Sequence, residues 1–264
     1  MELVVRLEEK MKLIELAIAL AYDAKVNIRD VYFQVRMWDT IIYNFLKNKN
    51  LVVPPAKRSD KNEKYEGAYV KEPKPGRYDW VVNFDLNSLY PHLIMQYNIS
   101  PETLWETRHP SASVERLLRK EVTIDGEFCV APNGAQYRKD IHGFLPEIMQ
   151  KIYDERTLYK KKMLQAKRDY EKSPTAQLQK DISKFNNIQM ARKIQLNSAY
   201  GAIGNQYFRY YNLRNAEAIT YGGQFSIRWI ENKMNQYLNR VLKTEEIDYV
   251  IASDTDSIYL NMGP

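Results

Sequence analysis

Tyr249-Val250-Ile251-Ala252-Ser253-Asp254-Thr255-Asp256-Ser257-Ile258-Tyr259-Leu260 is two apolar runs around a short acidic bend, and the pattern predicts a β-hairpin. Far upstream, Trp80-Val81-Val82-Asn83-Phe84-Asp85-Leu86 reads as a buried, β-branched strand that ends in a carboxylate. Apolar residues flank Asp85, Asp254 and Asp256, which argues against plain surface charges. Buried carboxylates crowded together repel unless cations lie between them. Hard oxygen ligands of this type select Mg²⁺, which takes one or two carboxylates and completes its shell with phosphates and water. Two such ions about 4 Å apart stabilise both the attacking and the leaving oxygen in phosphoryl transfer. Taken alone, Asp254-Thr255-Asp256 is better read as an Asx-rich turn. An EF-hand is excluded, because the loop glycine and the twelfth-position glutamate are missing.

Between the two acidic segments the period changes to that of helices. Pro146 opens a long helix to about Tyr170, Lys172-Ser173-Pro174 breaks it, and a second runs from about Ala176 to Tyr200. The pair predicts an antiparallel hairpin about 35 Å long. Arg156 and Lys160 share a face of the first helix, as Gln189, Lys193, Asn197 and Tyr200 share one of the second. Antiparallel pairing lets Arg156, Lys160 and Lys193 converge on one anion, and three cations suit a triphosphate. Lys161, Lys162, Lys167 and Arg168 read as a solvated face that adds non-specific attraction to a phosphate backbone. A further helix is expected from about Ala216 to Leu242.

Towards the amino terminus, Leu3, Leu7, Met11, Ile14, Ile18 and Tyr22 recur at helical spacing, predicting one amphipathic helix. A second is expected from Asn27 as N-cap, with Val31, Val35, Trp38, Ile42 and Phe45 as its apolar face. The stretch from Lys47 to Tyr65 reads as a linker. Between Thr107 and Asp140 short strands and turns are expected, with Asp125-Gly126 and Asn133-Gly134 as hairpin signals.

Composition narrows the class. The chain has 264 residues, 44% hydrophobic and 27% charged, with a net charge of +6, values of a globular protein with mild preference for a polyanion. A single cysteine, Cys129, excludes a disulfide framework and reads as a buried thiol in a reducing compartment. His92, His109 and His142 are scattered and form no zinc pattern, and no Walker loop or nucleophile elbow occurs. The charged start is no signal peptide, and Leu13 to Tyr22 is too short to span a bilayer, so a soluble intracellular protein without membrane partner is expected.

Asp85-Leu86-Asn87-Ser88-Leu89-Tyr90-Pro91 resembles the first polymerase motif of family B DNA polymerases. Lys193-Ile194-Gln195-Leu196-Asn197-Ser198-Ala199-Tyr200-Gly201 resembles the second, and Asp254-Thr255-Asp256-Ser257 the third. Asn98-Ile99-Ser100-Pro101-Glu102-Thr103 and Phe208-Arg209-Tyr210-Tyr211-Asn212-Leu213-Arg214-Asn215-Ala216 resemble replicative members from T-even-type bacteriophages. Tyr65-Glu66-Gly67-Ala68 is similar to the short motif between exonuclease and polymerase modules. The resemblance covers nearly the whole chain in the family's order, and three ordered motifs are far more specific than any one.

The resemblance implies an α+β fold: a palm on an antiparallel sheet, an inserted antiparallel helical fingers hairpin, and two amphipathic helices before them. It divides the chain into a helical segment and linker at 1–62, palm at 63–143, fingers at 144–205 and more palm at 206–264. Asp85 and Asp256 would bind two Mg²⁺ ions with help from the Leu86 carbonyl, and Asp254 would lie beside them as a further catalytic acid. Arg156, Lys160 and Lys193 would hold the triphosphate, with backbone amides at Ser88 and Leu89 donating to its oxygens. Tyr90 would lie under the deoxyribose and exclude a 2′-hydroxyl. Asn197, Tyr200 and Gly201 would shape the pocket for the nascent base pair.

The implied activity is DNA-directed DNA polymerase, with primer–template DNA and deoxynucleoside triphosphates as partners, in the cytoplasm of a phage-infected bacterium. A second chain supplying the remaining palm and thumb is expected, with a sliding clamp engaged through that missing part; an experimental truncation of one longer polypeptide is the equal alternative. A non-catalytic nucleic-acid or nucleotide-binding fragment is the competing function. Reverse transcriptase fits less well, because the acidic bend lacks the paired Asp-Asp. The chain departs from the family at His92, where a small serine is usual, and in its short fingers tip at Ser173-Pro174.

Overall fold

The computed structural model describes residues 2–56 and 65–263. The expected boundary at 62/63 and the lysine-rich centre of the expected linker lie outside them. In chain order the elements are α1 (Glu2–Met11), α2 (Leu13–Ala24), a 3-10 turn (Ile28–Tyr32), α3 (Gln34–Asn48), β1 (Val70–Lys71) and β2 (Val81–Asp85). Then come α4 (Leu89–Gln96), β3 (Leu104–Arg108), α5 (Val114–Leu118), β4 (Cys129–Val130) and β5 (Ala135–Tyr137). The remainder is α6 (Phe144–Lys172), α7 (Ala176–Ile203), α8 (Leu213–Leu242), β6 (Val250–Asp254) and β7 (Ser257–Asn261). Helix and antiparallel sheet are mixed, as the α+β expectation requires. Two compact units divide the chain: Met1–Asp60 with Glu147–Tyr211, and Lys61–Pro146 with Asn212–Pro264.

The first unit is helical, and its start differs from expectation. The single amphipathic helix is two, parted at Lys12, whose left-handed φ of 54° breaks the stripe. The Glu8 carboxylate accepts from the Ile14 amide and so caps α2. The bulky stripe faces outward, with Leu3 at 74% and Tyr22 at 88% exposure. What α2 buries instead is Ala17, Leu20, Ala21 and Ala24. Small residues let α2 lie close to α3 and α7, and close packing outweighs the bulk of the opposite face. Asn27 opens only the 3-10 turn, so the second helix starts late, at Gln34. Its core residues are Met37, Trp38, Ile42 and Leu46, while Val31, Val35 and Phe45 stay half-buried. Trp38 Nε1 donates to Ser198 Oγ of α7 at 3.0 Å.

The helical hairpin forms as expected. Lys172 ends α6, and Thr175 caps α7 by accepting from the Leu178 amide at 3.2 Å. Tyr159 of α6 meets Phe185 of α7 with ring centroids 6.1 Å apart, and Glu155 pairs with Arg192 at 2.6 Å. Contacts that move back along one helix as they advance along the other are those of antiparallel partners.

In the second unit β1-β6-β7-β2 form an antiparallel sheet. Ile227 and Leu238 of α8 pack on Val250, Ile258 and Leu260, with Leu86 and Tyr69 at the margin. The expectation that β2 is buried is corrected: all five of its residues are exposed, Phe84 at 51%. Val82 and Phe84 stand opposite Leu260 and Ile258, hence on the face that α8 covers. However, α8 packs on β6 and β7, and β2 lies outermost. A smaller sheet runs β3-β5-β4, with Gly134 at φ +82° in the turn between β4 and β5. Asp125-Gly126 joins no paired strands, and α5 occupies part of the region expected to hold only strands and turns. Cys129 is half-buried rather than buried. Among the described residues no helix is long and apolar enough to cross a membrane.

Candidate active site

Asp85, Asp254 and Asp256 meet because two strand pairs share β7. Asp254 stands opposite Ser257 across the hairpin, and Asp85 stands opposite the same Ser257 from β2. The Leu86 amide donates to the Asp256 carbonyl at 2.7 Å, tying the end of β2 to the bend. The bend is tight: Thr255 has φ +53°, and its amide donates to the Tyr69 carbonyl at 3.1 Å. Tyr69 follows Tyr65-Glu66-Gly67-Ala68, and the Gly67 carbonyl accepts from Gln224 Nε2 of α8 at 2.7 Å. That short motif therefore braces the acidic bend, a role nothing in its composition announces.

The three acids differ. Asp85 and Asp254 are exposed and Asp256 is half-buried, which corrects the expectation of buried carboxylates. Thr255 Oγ1 donates to Asp254 Oδ1 at 2.9 Å, so one oxygen of Asp254 is already engaged. Burial pushes the Asp256 carboxyl above the usual aspartate range, and the charges of Asp85 and Asp254 add to that. Among the described residues no cluster of three or more His, Cys, Asp or Glu side chains is arranged to hold a metal ion. Two hard carboxylates, Asp85 and Asp256, brought to one corner nevertheless fit Mg²⁺, which needs only one or two of them when phosphates fill its shell.

Beyond β2 the chain turns through Ser88, at φ +55°, into α4. Ser88 Oγ donates to Asn87 Oδ1 at 3.3 Å, and the Ser88 carbonyl accepts from the His92 amide at 3.1 Å. His92 Nδ1 lies 2.9 Å from that carbonyl, a further contact at the start of α4. Leu86 is half-buried against the core, Leu89 is buried, and Tyr90 is half-buried. Burial raises the Tyr90 hydroxyl, as do the charges of Asp256, Tyr65 and Asp254.

In the first unit, α6 carries Arg156 half-buried and Lys160 exposed, while α7 carries Lys193 and Asn197 exposed and Tyr200 half-buried. Gln189, expected on that same open face, is buried. The space over Gly201 is taken by the Gln34 side-chain amide of α3, which a methyl there would strike. Lys161, Lys162, Lys167 and Arg168 are exposed, as a solvated face requires.

A family model described as DNA polymerase family B matches residues 32–264. The DNA-directed DNA polymerase of Escherichia phage RB69 is 36% identical over 98% of this chain and 33% of its own length. That of Enterobacteria phage T4 is 34% identical over 94% of this chain and 32% of its own. The chain thus spans about a third of the length of these curated relatives. A solved structure of the family B DNA polymerase from the hyperthermophilic archaeon Pyrobaculum calidifontis superposes with a TM-score of 0.62 and 26% identity. It is matched over 97% of this chain and 30% of that one.

Proposed function

Because this chain belongs to DNA polymerase family B, we propose that it carries the template-directed addition of deoxynucleotides to a primer 3′-hydroxyl, with release of pyrophosphate. The observation that carries this reading is the acid corner. Asp85 and Asp256, far apart in sequence, are joined through Ser257 and the Leu86 amide, with Asp256 raised by burial and further by the charge of Asp85. Residues 63–143 with 206–264 are read as palm and 144–205 as fingers.

Asp85, Asp256 and the Leu86 carbonyl would hold two Mg²⁺ ions, whose contribution when bound is to neutralise phosphate charge and ease loss of the 3′-hydroxyl proton. Asp254 supports the bend through Thr255 and adds negative potential beside the pair. The amides of Ser88 and Leu89, at the start of α4, donate to phosphate oxygens. Arg156, Lys160 and Lys193 clamp the triphosphate. Asn197 and Tyr200 shape the space for the nascent base pair, whereas the room that the missing side chain of Gly201 leaves is filled by Gln34. Tyr90 lies under the sugar. Phosphoryl transfer demands little covalent chemistry from the protein, so positioning and fixed charge carry most of the rate.

The test is single-nucleotide extension of a primed template with Mg²⁺ by the parent, Asp85→Ala and Asp256→Ala chains, alongside binding to the same DNA. Extension by the parent is expected to vanish in both variants, with DNA binding largely kept. Extension near the parent rate in either variant refutes the metal assignment. A parent that binds DNA but never extends it, even when a polypeptide supplying the remaining palm and thumb is added, makes this chain a binding fragment.

A further inference from the structure

Helix α8 carries two consecutive buried glycines, Gly222 and Gly223, in its interior. Each costs about 1 kcal/mol of helix propensity relative to alanine, so the helix gives up stability for what the missing methyls allow. What they allow is the close approach of α4. A Cβ on Gly223 would lie 3.0 Å from Tyr90 Cε1 and 3.7 Å from Leu89 Cδ2. A Cβ on Gly222 would lie 3.3 Å from Leu93 Cδ1 and 3.4 Å from Tyr97 Cε2. The two glycines therefore seat different side chains: the nearest to Gly223 is Tyr90, and the nearest to Gly222 are Leu93 of α4 and Tyr97 just beyond it.

We propose that Gly223 is a positioning residue for sugar selection, setting how far the Tyr90 ring stands from α8; this rests on the polymerase reading of Tyr90 above. One side of the ring edge lies against Gly223, so a sugar must use the space away from α8. The Tyr90 hydroxyl also feels the charges of Asp256 and Asp254. In a close-packed interior a contact of 3.0 Å is relieved by a shift of the ring, since the helix backbone is the stiffer partner. A methyl at 223 drives the ring outward, into the room a nucleotide sugar needs.

The experiment compares Gly223→Ala with Gly222→Ala, which gains the same helix propensity and also meets close neighbours, at 3.3 Å against 3.0 Å, but these are Leu93 and Tyr97 in place of Tyr90. Steady-state extension is measured with deoxy- and ribonucleoside triphosphates, in the parent and in a Tyr90→Ala background. Gly223→Ala should raise the deoxynucleotide KM about threefold or more, with kcat within about twofold, and lower ribonucleotide use further. Gly222→Ala should change neither, and in the Tyr90→Ala background the effect of Gly223→Ala should disappear. Equal shifts in the two alanine variants, or a shift that survives loss of the ring, overturn the proposal. A Tyr90→Ala chain that extends with unchanged sugar preference overturns instead the reading of Tyr90. The seat itself is read without activity, from a nuclear Overhauser contact between the Tyr90 Hε protons and the Gly223 Hα protons. That contact should be present in the parent, and its absence refutes the positioning.

Discussion

Asp248 lies just before β6 and ties three elements of the second unit together. Its Oδ2 accepts from Lys71 Nζ and Lys74 Nζ at 2.8 Å each, and its Oδ1 accepts from Asn235 Nδ2 at 2.8 Å and the Val250 amide at 3.2 Å. Lys71 also pairs with Glu231 of α8. Burial raises the Asp248 carboxyl, but bonds from Lys71, Lys74 and Asn235 outweigh it and hold the group well below the usual aspartate range. Asp248→Asn keeps the shape and turns one oxygen into a donor, which must then face either the two ammoniums or two N–H groups. Two bonds to the ionised carboxylate are lost, each charge-assisted and worth about 1.5–3 kcal/mol when shielded. The Asp248 side chain is 37% exposed and that of Lys74 44%, so screening reduces the sum. A loss of about 2–3 kcal/mol remains after that discount. For a chain of this size the melting point should fall by about 5–10 °C.

The sign with pH follows from the depressed carboxyl. Its stabilisation is fully present above the unfolded aspartate value of about 3.9 and is lost as pH falls through the folded value. Asparagine does not titrate, so the gap between parent and variant should narrow by up to about 1 kcal/mol from pH 4 to pH 3. Urea unfolding followed by circular dichroism at pH 7, 4 and 3 measures both. A gap below about 0.5 kcal/mol at pH 7, or one that does not change with acid, would refute the reasoning.

Lys193→Ala should raise the nucleotide KM about tenfold or more in single-nucleotide extension, the worth of one charge-assisted phosphate bond, while Lys162→Ala changes it less than about twofold. Lys162 stands over the Tyr159 ring at 5.3 Å on the exposed run, so equal effects would mean bulk electrostatics in place of a clamp. Trp38→Phe should destabilise the first unit by about 1–3 kcal/mol in thermal unfolding, through lost volume and a lost buried hydrogen bond to Ser198. No change in melting would show that this bond has little net worth.

Local grammar made much of this legible. Ser173-Pro174 marks the tip of the helical hairpin, and β-branched runs on both sides of Asp254-Thr255-Asp256 mark the acidic bend. Burial was harder to read. The apolar Val81-Val82-Asn83-Phe84 run is an outer strand beyond the reach of α8, and hydrophobicity alone does not tell a covered strand from an uncovered one. In α2 the stripe with the largest side chains is the one left outside, because alanines permit the closer helix contact. Motif order singles out the candidate site residues, whereas the residues that support them are distant in sequence. Nothing near Gly223 in sequence points to Tyr90, and Lys71, Glu231 and Asp248 become neighbours only through the sheet.

The strand pairing that joins Asp85 to Ser257 has a kinetic side. No local contact brings β2 to β7, since both long helices of the other unit lie between them in sequence. Loop-closure entropy therefore delays this pairing, while α6 and α7 can form on short-range contacts of their own. Asp85 thus joins Asp254 and Asp256 late, when β2 closes the sheet. Until then Trp80, Val82 and Phe84 travel as a sticky, unpaired segment of a nascent chain, the period in which a chaperone has most to offer it.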